Sequence, residues 1–238
     1  MTISLDTGRY TVGLATSAAD VQAAQRLRYE VFAEEMGARL DSPVSGLDAD
    51  RFDAYCDHLL VRDGRRVVGT YRLLPPGRAE RLYSDGEFDL RALAPVRKGL
   101  VEAGRTTVHP DHRDGAVVAL MWAGIARYMV DGGHLWLAGC CSVPLDDGGV
   151  TAAAVAERVP LGPAEYRVTP HRPWRGGRAP GSDRFVPPAL LRGYLRLGAW
   201  VCGPPAHDPD FGTADFFVLL SMAQANARYL RHFLGGTP

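Results

Sequence analysis

The chain has 238 residues, of which 46% are hydrophobic and 23% are charged, and equal numbers of basic and acidic residues give a formal net charge of zero. A chain of this length buries a substantial core without disulfides or bound metals. A chain with no net charge has no overall electrostatic field to attract nucleic acid. No stretch approaches about 18 uninterrupted apolar residues, and the N-terminus lacks a signal-peptide pattern. We therefore expect a cytoplasmic protein without a transmembrane segment, and a peripheral membrane contact stays open.

Hydrophobic periodicity and turn residues predict the elements in chain order. A helix begins after Ser17, with Asp20 three residues later as a variant of the capping box, and its apolar positions continue to Met36. A loop rich in Asp, residues 41–57, follows the helix. The later elements are strands at 58–61, 67–74 and 100–108, a short helix near 90–93, a helix at 116–130, a strand at 135–143, a helix at 150–159, a loop at 160–188, a helix at 190–197, strands at 199–203 and 215–220, and a helix at 223–233.

The order of these elements predicts the fold class. Asp63-Gly64 separates the first two strands and is typical of a hairpin turn. One helix, then a hairpin, then a strand–helix–strand unit indicates a mixed, mostly antiparallel sheet flanked by helices. We therefore expect an α/β protein of the α+β type, with residues 1–238 forming a single domain.

Several short motifs, in a fixed order and spacing, carry a resemblance to a known family. They lie at residues 27–32, 57–61, 68–74, 86–90, 102–105 and 193–200. Each motif alone is weak, but together they resemble the ornithine-lipid N-acyltransferases of the GNAT superfamily over roughly residues 12–234. More distantly the chain is similar to the acyl-homoserine lactone synthases, which share the fold and the acyl carrier protein donor.

The resemblance implies a GNAT fold with a V-shaped split between the strand ending at Val108 and the strand at 135–143. It also implies that the amine of ornithine, or of a similar amino acid, attacks a fatty acyl thioester, with or without a 3-hydroxyl group, on the phosphopantetheine of acyl carrier protein. No permanently bound cofactor is expected. The carrier protein and the amino acid are the expected partners.

Two alternatives stay open at the level of sequence. An acyl-homoserine lactone synthase uses S-adenosylmethionine and usually has an aromatic residue just after the first helix, where this chain has residues 37–40, Gly-Ala-Arg-Leu. A non-catalytic module that binds acyl carrier protein would need no catalytic residues. The presence of Glu102 and Arg105, which match a catalytic pattern of the family, argues against this alternative.

Glu102 and Arg105 match the E-x-x-R pattern of the family and are the predicted catalytic residues. Glu102 is expected to remove the proton from the attacking amine, directly or through a water. Residues three apart on a regular strand point to opposite faces, so we expect a bulge near residues 103–104 to direct both side chains to one cleft.

Further residues are predicted to bind the substrate. Arginine on an apolar helix face is costly unless it meets a carboxylate, so Asp50, Asp53 or Glu102 is the expected partner of Arg28. The acidic residues of the Asp-rich loop suit the side-chain ammonium of ornithine, and guanidinium groups suit its carboxylate. The predicted substrate-binding residues are Arg28, Phe32, Asp50, Asp53, Arg72 and Phe88, with Arg28 and Arg105 as the carboxylate site and Asp50 and Asp53 as the ammonium site.

The region expected to receive the acyl donor departs from the pattern of coenzyme A-dependent GNAT enzymes. Residues 113–118 replace their glycine-rich pyrophosphate turn, the glycines fall out of register, and Asp114 would repel a pyrophosphate. This favours acyl carrier protein as the donor. Because carrier proteins are acidic, Arg78, Arg81 and Arg113 are predicted to contact it.

No metal site is predicted. The spacing of His58, His109 and His112 fits no zinc pattern, and no cysteine lies near His109. Four cysteines without a C-x-x-C pair are typical of free thiols in a reducing compartment.

Overall fold

The computed structural model describes residues 3–177 and 185–234, so residues 178–184 of the predicted loop at 160–188 lie outside the described part. The chain forms two compact units. Among the described residues, the first unit comprises 3–79, 101–134 and 227–234. The second unit comprises 80–100, 135–177 and 185–226. The predicted single domain and the predicted V-shaped split concern the relation between these units, and both stay predictions.

The first unit holds an antiparallel sheet. Its strands, in the spatial order β1-β2-β3-β4-β6, each pair antiparallel with the next. They are β1 Ser4–Asp6, β2 Tyr10–Leu14, β3 Asp57–Asp63, β4 Arg66–Leu74 and β6 Leu100–Val108. The predicted hairpin turn is confirmed, because Asp63 pairs with Arg66 and Gly64 has a φ of +57°.

Two long helices cover the sheet of the first unit. They are α1 Ala18–Tyr29 and α2 Ala116–Asp131, and a short helix, α5 Ala227–Phe233, packs on α2. Helix α2 lies close to the sheet through glycines: a Cβ added at Gly69 would stand 2.6 Å from Val117. Since successive strand residues face opposite sides, Arg72 lies on the other face of β4, the side on which α1 packs.

The start of α1 agrees with the sequence, whereas its end differs. The Ser17 hydroxyl accepts a hydrogen bond from the Asp20 amide at 3.2 Å, which confirms the N-cap. Instead of continuing as an α-helix to Met36, the chain makes a wide π-helical turn at Glu30–Glu35. Such turns occur often at functional sites, and this one carries the buried Phe32.

The second unit contains the remaining strands and helices. A three-stranded antiparallel arrangement places β11 between β7 and β10, β9 also pairs with β11, and β5 pairs with β8 as a separate ribbon. The elements are β5 Phe88–Asp89, β7 Trp136–Pro144, α3 Val150–Arg158, β8 Thr169–Pro170, α4 Ala189–Leu197, β9 Trp200–Val201, β10 Ala206–Asp208 and β11 Thr213–Ser221. All nine residues of β11 are buried, which makes it the centre of this unit.

No helix in the described part of the chain is long and apolar enough to cross a membrane.

Candidate active site

Three carboxylates of the Asp-rich loop meet three arginines from separate elements of the first unit. The carboxylates are Asp48, Asp50 and Asp53, and the arginines are Arg28 of α1, Arg72 of β4 and Arg105 of β6. The three arginines are distant in sequence from the loop and from one another, and they meet because each of these three aspartates contacts at least one arginine. We call them the Arg–Asp cluster.

Arg28 is the most deeply buried member, with 1% of its surface exposed. Its Nε lies 2.9 Å from Asp48 Oδ2 and its Nη2 lies 2.8 Å from Asp53 Oδ2. Nη2 also donates a hydrogen bond to the carbonyl oxygen of Asp48. Asp53 is thus confirmed as a predicted partner of Arg28, and Asp48 is a partner that the sequence pattern does not single out. Two carboxylates compensate the buried guanidinium, which would otherwise be very costly.

Asp53 is the hub of the Arg–Asp cluster. Besides Arg28, it contacts Arg72 Nη1 at 3.1 Å and accepts a hydrogen bond from Gln25 Nε2 at 2.9 Å. Burial alone would raise the pKa of Asp53, but the hydrogen bond and charge of Arg28, with the charge of Arg72, hold it well below its usual range. The carboxylate is therefore ionised at neutral pH and already engaged by the protein's own cations.

Arg72 links the hub to the loop. Its Nη1 lies 2.7 Å from Asp50 Oδ1, and 5% of its side chain is exposed. Burial opposes the charge of Arg72, but the adjacent Asp50 outweighs burial and raises the pKa of the guanidinium. This pairing fixes Asp50 from one side and leaves its second carboxylate oxygen without a hydrogen-bond partner in the described structure.

A β-bulge directs Arg105 to the same face as Glu102. Thr70 pairs with Thr107 and Arg72 pairs with Gly104, so β6 has one more residue than β4 over this interval. Arg105 takes up the extra length with a φ of +52°, a left-handed conformation that is uncommon outside glycine. The predicted bulge is present, but it lies at Arg105 rather than at residues 103–104.

The bulge places the Arg105 guanidinium inside the Arg–Asp cluster. Its Nε lies 3.5 Å from Asp48 Oδ2, its Nη2 lies 3.8 Å from Asp50 Oδ2, and its Cζ lies 5.7 Å from the centre of the Phe32 ring. These contacts are longer than those of Arg28 and Arg72, and 14% of the Arg105 side chain is exposed. Arg105 is therefore the cluster arginine best able to contact a small molecule.

Glu102 lies on the same sheet face as Arg72, because it pairs with Leu74, two residues along β4. Its side chain is buried, with 5% exposed. Burial is the main reason that the pKa of the Cys56 thiol is raised to about 12. The charges acting on this thiol are those of Arg72, Asp53, Glu102 and Asp50, which places Glu102 in the electrostatic environment of the Arg–Asp cluster.

Phe88, also predicted to bind substrate, lies in the second unit. It is 1% exposed, and its ring centre lies 5.8 Å from that of Phe217 on β11. The structure thus places Phe88 in the core of that unit, and its role toward a substrate stays a prediction.

The arginines predicted to contact a carrier protein are engaged by acids or carbonyls of their own unit. Arg78 is half exposed and lies 2.8 Å from Asp57 Oδ1, while Arg113 makes a bidentate pair with Glu35 at 2.6 and 2.7 Å. Arg81, in the second unit, donates to the carbonyl oxygen of Asp85 at 3.1 Å.

The N-terminus of α2, where GNAT enzymes that use coenzyme A bind pyrophosphate, is occupied by a carboxylate of the chain itself. Gly115 makes the turn with a φ of +96°, and Asp114 Oδ1 accepts a hydrogen bond from the Ala116 amide at 3.0 Å. The negative charge predicted to disfavour a pyrophosphate thus sits at the first amide of the helix.

Comparison with known proteins shows which family this chain belongs to. Residues 27–123 match a sequence model of the acetyltransferase (GNAT) domain. The chain is 36% identical to the L-ornithine N(alpha)-acyltransferase of Brucella abortus, over 95% of this chain and 89% of the relative. It is 35% identical to the L-ornithine N(alpha)-acyltransferase of Rhizobium meliloti, over 92% of this chain and 82% of the relative. The chain belongs to the L-ornithine N(alpha)-acyltransferase family.

As a member of this family the protein is an acyltransferase, which confirms the predicted enzyme class. A solved structure agrees on the fold. The coenzyme A-dependent acyl-homoserine lactone synthase BjaI, with S-adenosylmethionine and isopentyl-CoA, superposes with a TM-score of 0.56 at 20% identity, over 93% of this chain and 85% of that one. This likeness shows the fold alone, and the predicted GNAT fold is confirmed.

A second polar cluster, outside the predicted site, lies in the second unit. Carboxylate oxygens of Glu87, Asp208 and Asp215 lie within 4.8 Å of one another. No described arginine or lysine forms an ion pair with these three residues. Burial, followed by the charge of Asp215, raises the pKa of Glu87 to about 9. A carboxyl group with this pKa keeps its proton at neutral pH. The predicted absence of a metal site stays a prediction.

Replacing Glu87 with glutamine should stabilise the protein increasingly as pH rises from 5 to 9. The folded pKa of about 9 exceeds the ordinary glutamate value of 4.5, so between these values the folded state holds a proton that the unfolded state releases. The contribution of Glu87 to the stability of the parent then falls by up to about 1.4 kcal/mol per pH unit, and the neutral amide of the Glu87→Gln variant removes this contribution. Thermal unfolding of both proteins across this range measures the effect, with Glu157→Gln, at an exposed position of α3, as the control. A difference that does not change with pH would contradict the assignment.

Proposed function

We propose that this protein transfers a fatty acyl group from acyl carrier protein to the α-amine of ornithine, giving an N-acylornithine. The observation that carries the proposal is the bulge at Arg105, which gathers a guanidinium, Glu102 and the Asp-rich loop on one sheet face of a chain in this family. That face offers a base, an anion-binding group and carboxylates within one small site.

The proposed reaction needs few groups from the protein. The neutral amine attacks the thioester carbonyl, a C–N bond forms, and the C–S bond breaks when the tetrahedral intermediate collapses. Glu102 accepts the proton from the amine, directly or through a water, and the phosphopantetheine thiolate leaves and is protonated.

The charge balance of the site supports a cationic acceptor. With all groups ionised, the three arginines of the Arg–Asp cluster face its three aspartates and Glu102, which leaves one excess negative charge. We assign the acceptor carboxylate to Arg105, the more exposed arginine, and the side-chain ammonium to Asp50, whose second oxygen is without a hydrogen bond. The sequence pattern also predicts Arg28 and Asp53 for these two roles. Because Arg28 and Asp53 contact each other, we assign them instead to holding the Asp-rich loop in position.

Acyl carrier protein is the proposed donor because the Asp114 carboxylate accepts a hydrogen bond from the first amide of α2. Coenzyme A would bring a pyrophosphate to this position, whereas a carrier protein presents a single phosphate and an acidic surface. Arg78, Arg81 and Arg113 remain the proposed contacts for that surface.

Product analysis by mass spectrometry tests the proposal. Purified protein is incubated with acyl carrier protein or coenzyme A carrying the same acyl chain, and with ornithine, lysine, norleucine or S-adenosylmethionine. We expect N-acylornithine to form fastest, and from the carrier-protein donor. An acyl-homoserine lactone from S-adenosylmethionine would replace the proposal with the synthase alternative, and equal use of both donors would remove the carrier protein from it.

Reversing the charges of Arg78 and Arg81 to glutamate should raise KM for the acylated carrier protein several-fold, because like charges then oppose the acidic partner. The defect should shrink at high salt, where the screening length falls to about 3 Å near 1 M. Steady-state kinetics at low and high salt measure the effect. Arg65→Glu, at the exposed hairpin turn, has the same charge change as each single reversal and is the control for it. A similar rise in KM for acyl-coenzyme A would argue against a docking role.

A further inference from the structure

Asp48 connects two arginines that have different environments. It is 3% exposed, and its backbone amide donates to the carbonyl oxygen of Gln25 on α1 at 3.0 Å. Its Oδ2 lies 2.9 Å from Arg28 Nε and 3.5 Å from Arg105 Nε. One carboxylate oxygen, tied to the helix by Arg28, therefore also faces the guanidinium on the bulge.

Arg105 needs an external restraint to hold a defined position. Its left-handed backbone, with a φ of +52°, costs energy in a non-glycine residue and persists only where surrounding contacts hold it. Its contact with Asp50 Oδ2 is longer, at 3.8 Å, and Asp50 is itself held by Arg72 at 2.7 Å. Asp48 is thus the nearer of the two acids to Arg105 and the more deeply buried.

We infer that Asp48 is a positioning residue that holds the Arg105 guanidinium in place for the acceptor carboxylate. This inference rests on the proposed function for its catalytic consequence. Asp48 acts through Arg105 because its carboxylate is enclosed between the two arginines and almost wholly out of solvent. Arg28 keeps Asp53 as a counter-ion at 2.8 Å when the charge of Asp48 is removed, so we expect the variant to fold.

A double-mutant cycle tests this coupling. Asp48→Asn should raise KM for ornithine roughly 10-fold while KM for the acyl donor stays unchanged, within the range of couplings between contacting residues. In an Arg105→Gln background the same substitution should have little further effect, because the residue through which Asp48 acts is gone. An undiminished effect of Asp48→Asn in that background would overturn the inference.

A second readout does not depend on activity. In protein labelled with ¹⁵N-arginine, the Nε–H resonance lost in Arg105→Gln identifies Arg105. We expect Asp48→Asn to move this resonance toward those of exposed arginines, and Asp50→Asn to change it less. An unmoved resonance in Asp48→Asn overturns the inference. If Asp48→Asn folds poorly, Asp48→Glu keeps the charge, displaces the carboxylate by one methylene, and must produce the same kind of shift.

These two measurements separate the inference from the proposed function. If Arg105→Gln leaves KM for ornithine unchanged, the acceptor role of Arg105 fails, and the resonance still decides whether Asp48 holds its side chain. If the resonance moves and the cycle shows coupling, both stand together.

Discussion

Glu102→Gln should lower kcat by about 100- to 10,000-fold, the usual contribution of a general base. Glutamine has the size of glutamate and forms hydrogen bonds, but it cannot accept the proton that the attacking amine must lose. The buried position of Glu102 on the face that holds Arg72 makes an isosteric change the appropriate one, because a smaller side chain would leave a cavity. Single-turnover kinetics with acylated carrier protein and ornithine measure the chemical step directly.

Two observations would separate a base from a structural residue in this variant. Thermal unfolding should show Glu102→Gln folded, and its residual rate should increase with pH as more of the amine is free of its proton. Glu157→Gln, on the exposed side of α3, should retain full activity. A decrease in kcat of less than about tenfold would mean that bulk solvent removes the proton, since general base catalysis contributes at least about 100-fold.

Asp53→Ala should destabilise the protein by about 3–5 kcal/mol, the cost of breaking a buried ion pair on one side. The substitution leaves Arg28 and Arg72 buried without the carboxylate that both of them contact. Asp63→Ala is a matched control, because Asp63 also pairs with an arginine, Arg9, but 59% of the Arg9 side chain is exposed, and surface pairs contribute about 0–1 kcal/mol. Urea unfolding of the three proteins measures the difference.

The destabilisation by Asp53→Ala should depend on pH in a defined direction. The pKa of Asp53 lies below its usual range, so the parent has the stabilising ion pairs in full above the unfolded value of about 3.9 and loses them as pH falls further. The difference between the parent and the variant should therefore be constant from pH 6 to 8 and shrink below about pH 4. A control difference as large as that of Asp53→Ala would mean that burial of the hub contributes nothing.

Asp53 also separates a ligand role from a structural one. If Asp53 binds the ornithine ammonium, as the sequence pattern predicts, Asp53→Asn should weaken the binding of ornithine far more than the binding of norleucine. Asp53 contacts Arg28, Arg72 and Gln25, so we expect the substitution to weaken the binding of both acceptors equally.

Much of this protein is determined locally by its sequence. The Ser17 cap, the turn at Gly64 and the periodicity of α2 depend on residues close in the chain, so their positions agree with the predicted ones. Short strands lack such signals: the predicted elements do not include β1, β2, β5, β8 and β10, because two to five residues carry too little pattern and their pairing depends on other segments of the chain. The family assignment likewise depends on motif order, which is a property of the sequence itself.

Only the tertiary structure decided how the candidate site is organised. Glu102 and Arg105 could be named from their motif, but which residue forms the bulge depends on the register between β4 and β6, a long-range property. Asp48 has no motif, and its importance arises because the folded loop places one oxygen between Arg28 and Arg105. The sequence leaves Asp50, Asp53 and Glu102 as possible partners of Arg28, and the folded loop selects Asp53. Charge can be read from a sequence, but the partner that neutralises it is chosen by packing between segments far apart in the chain.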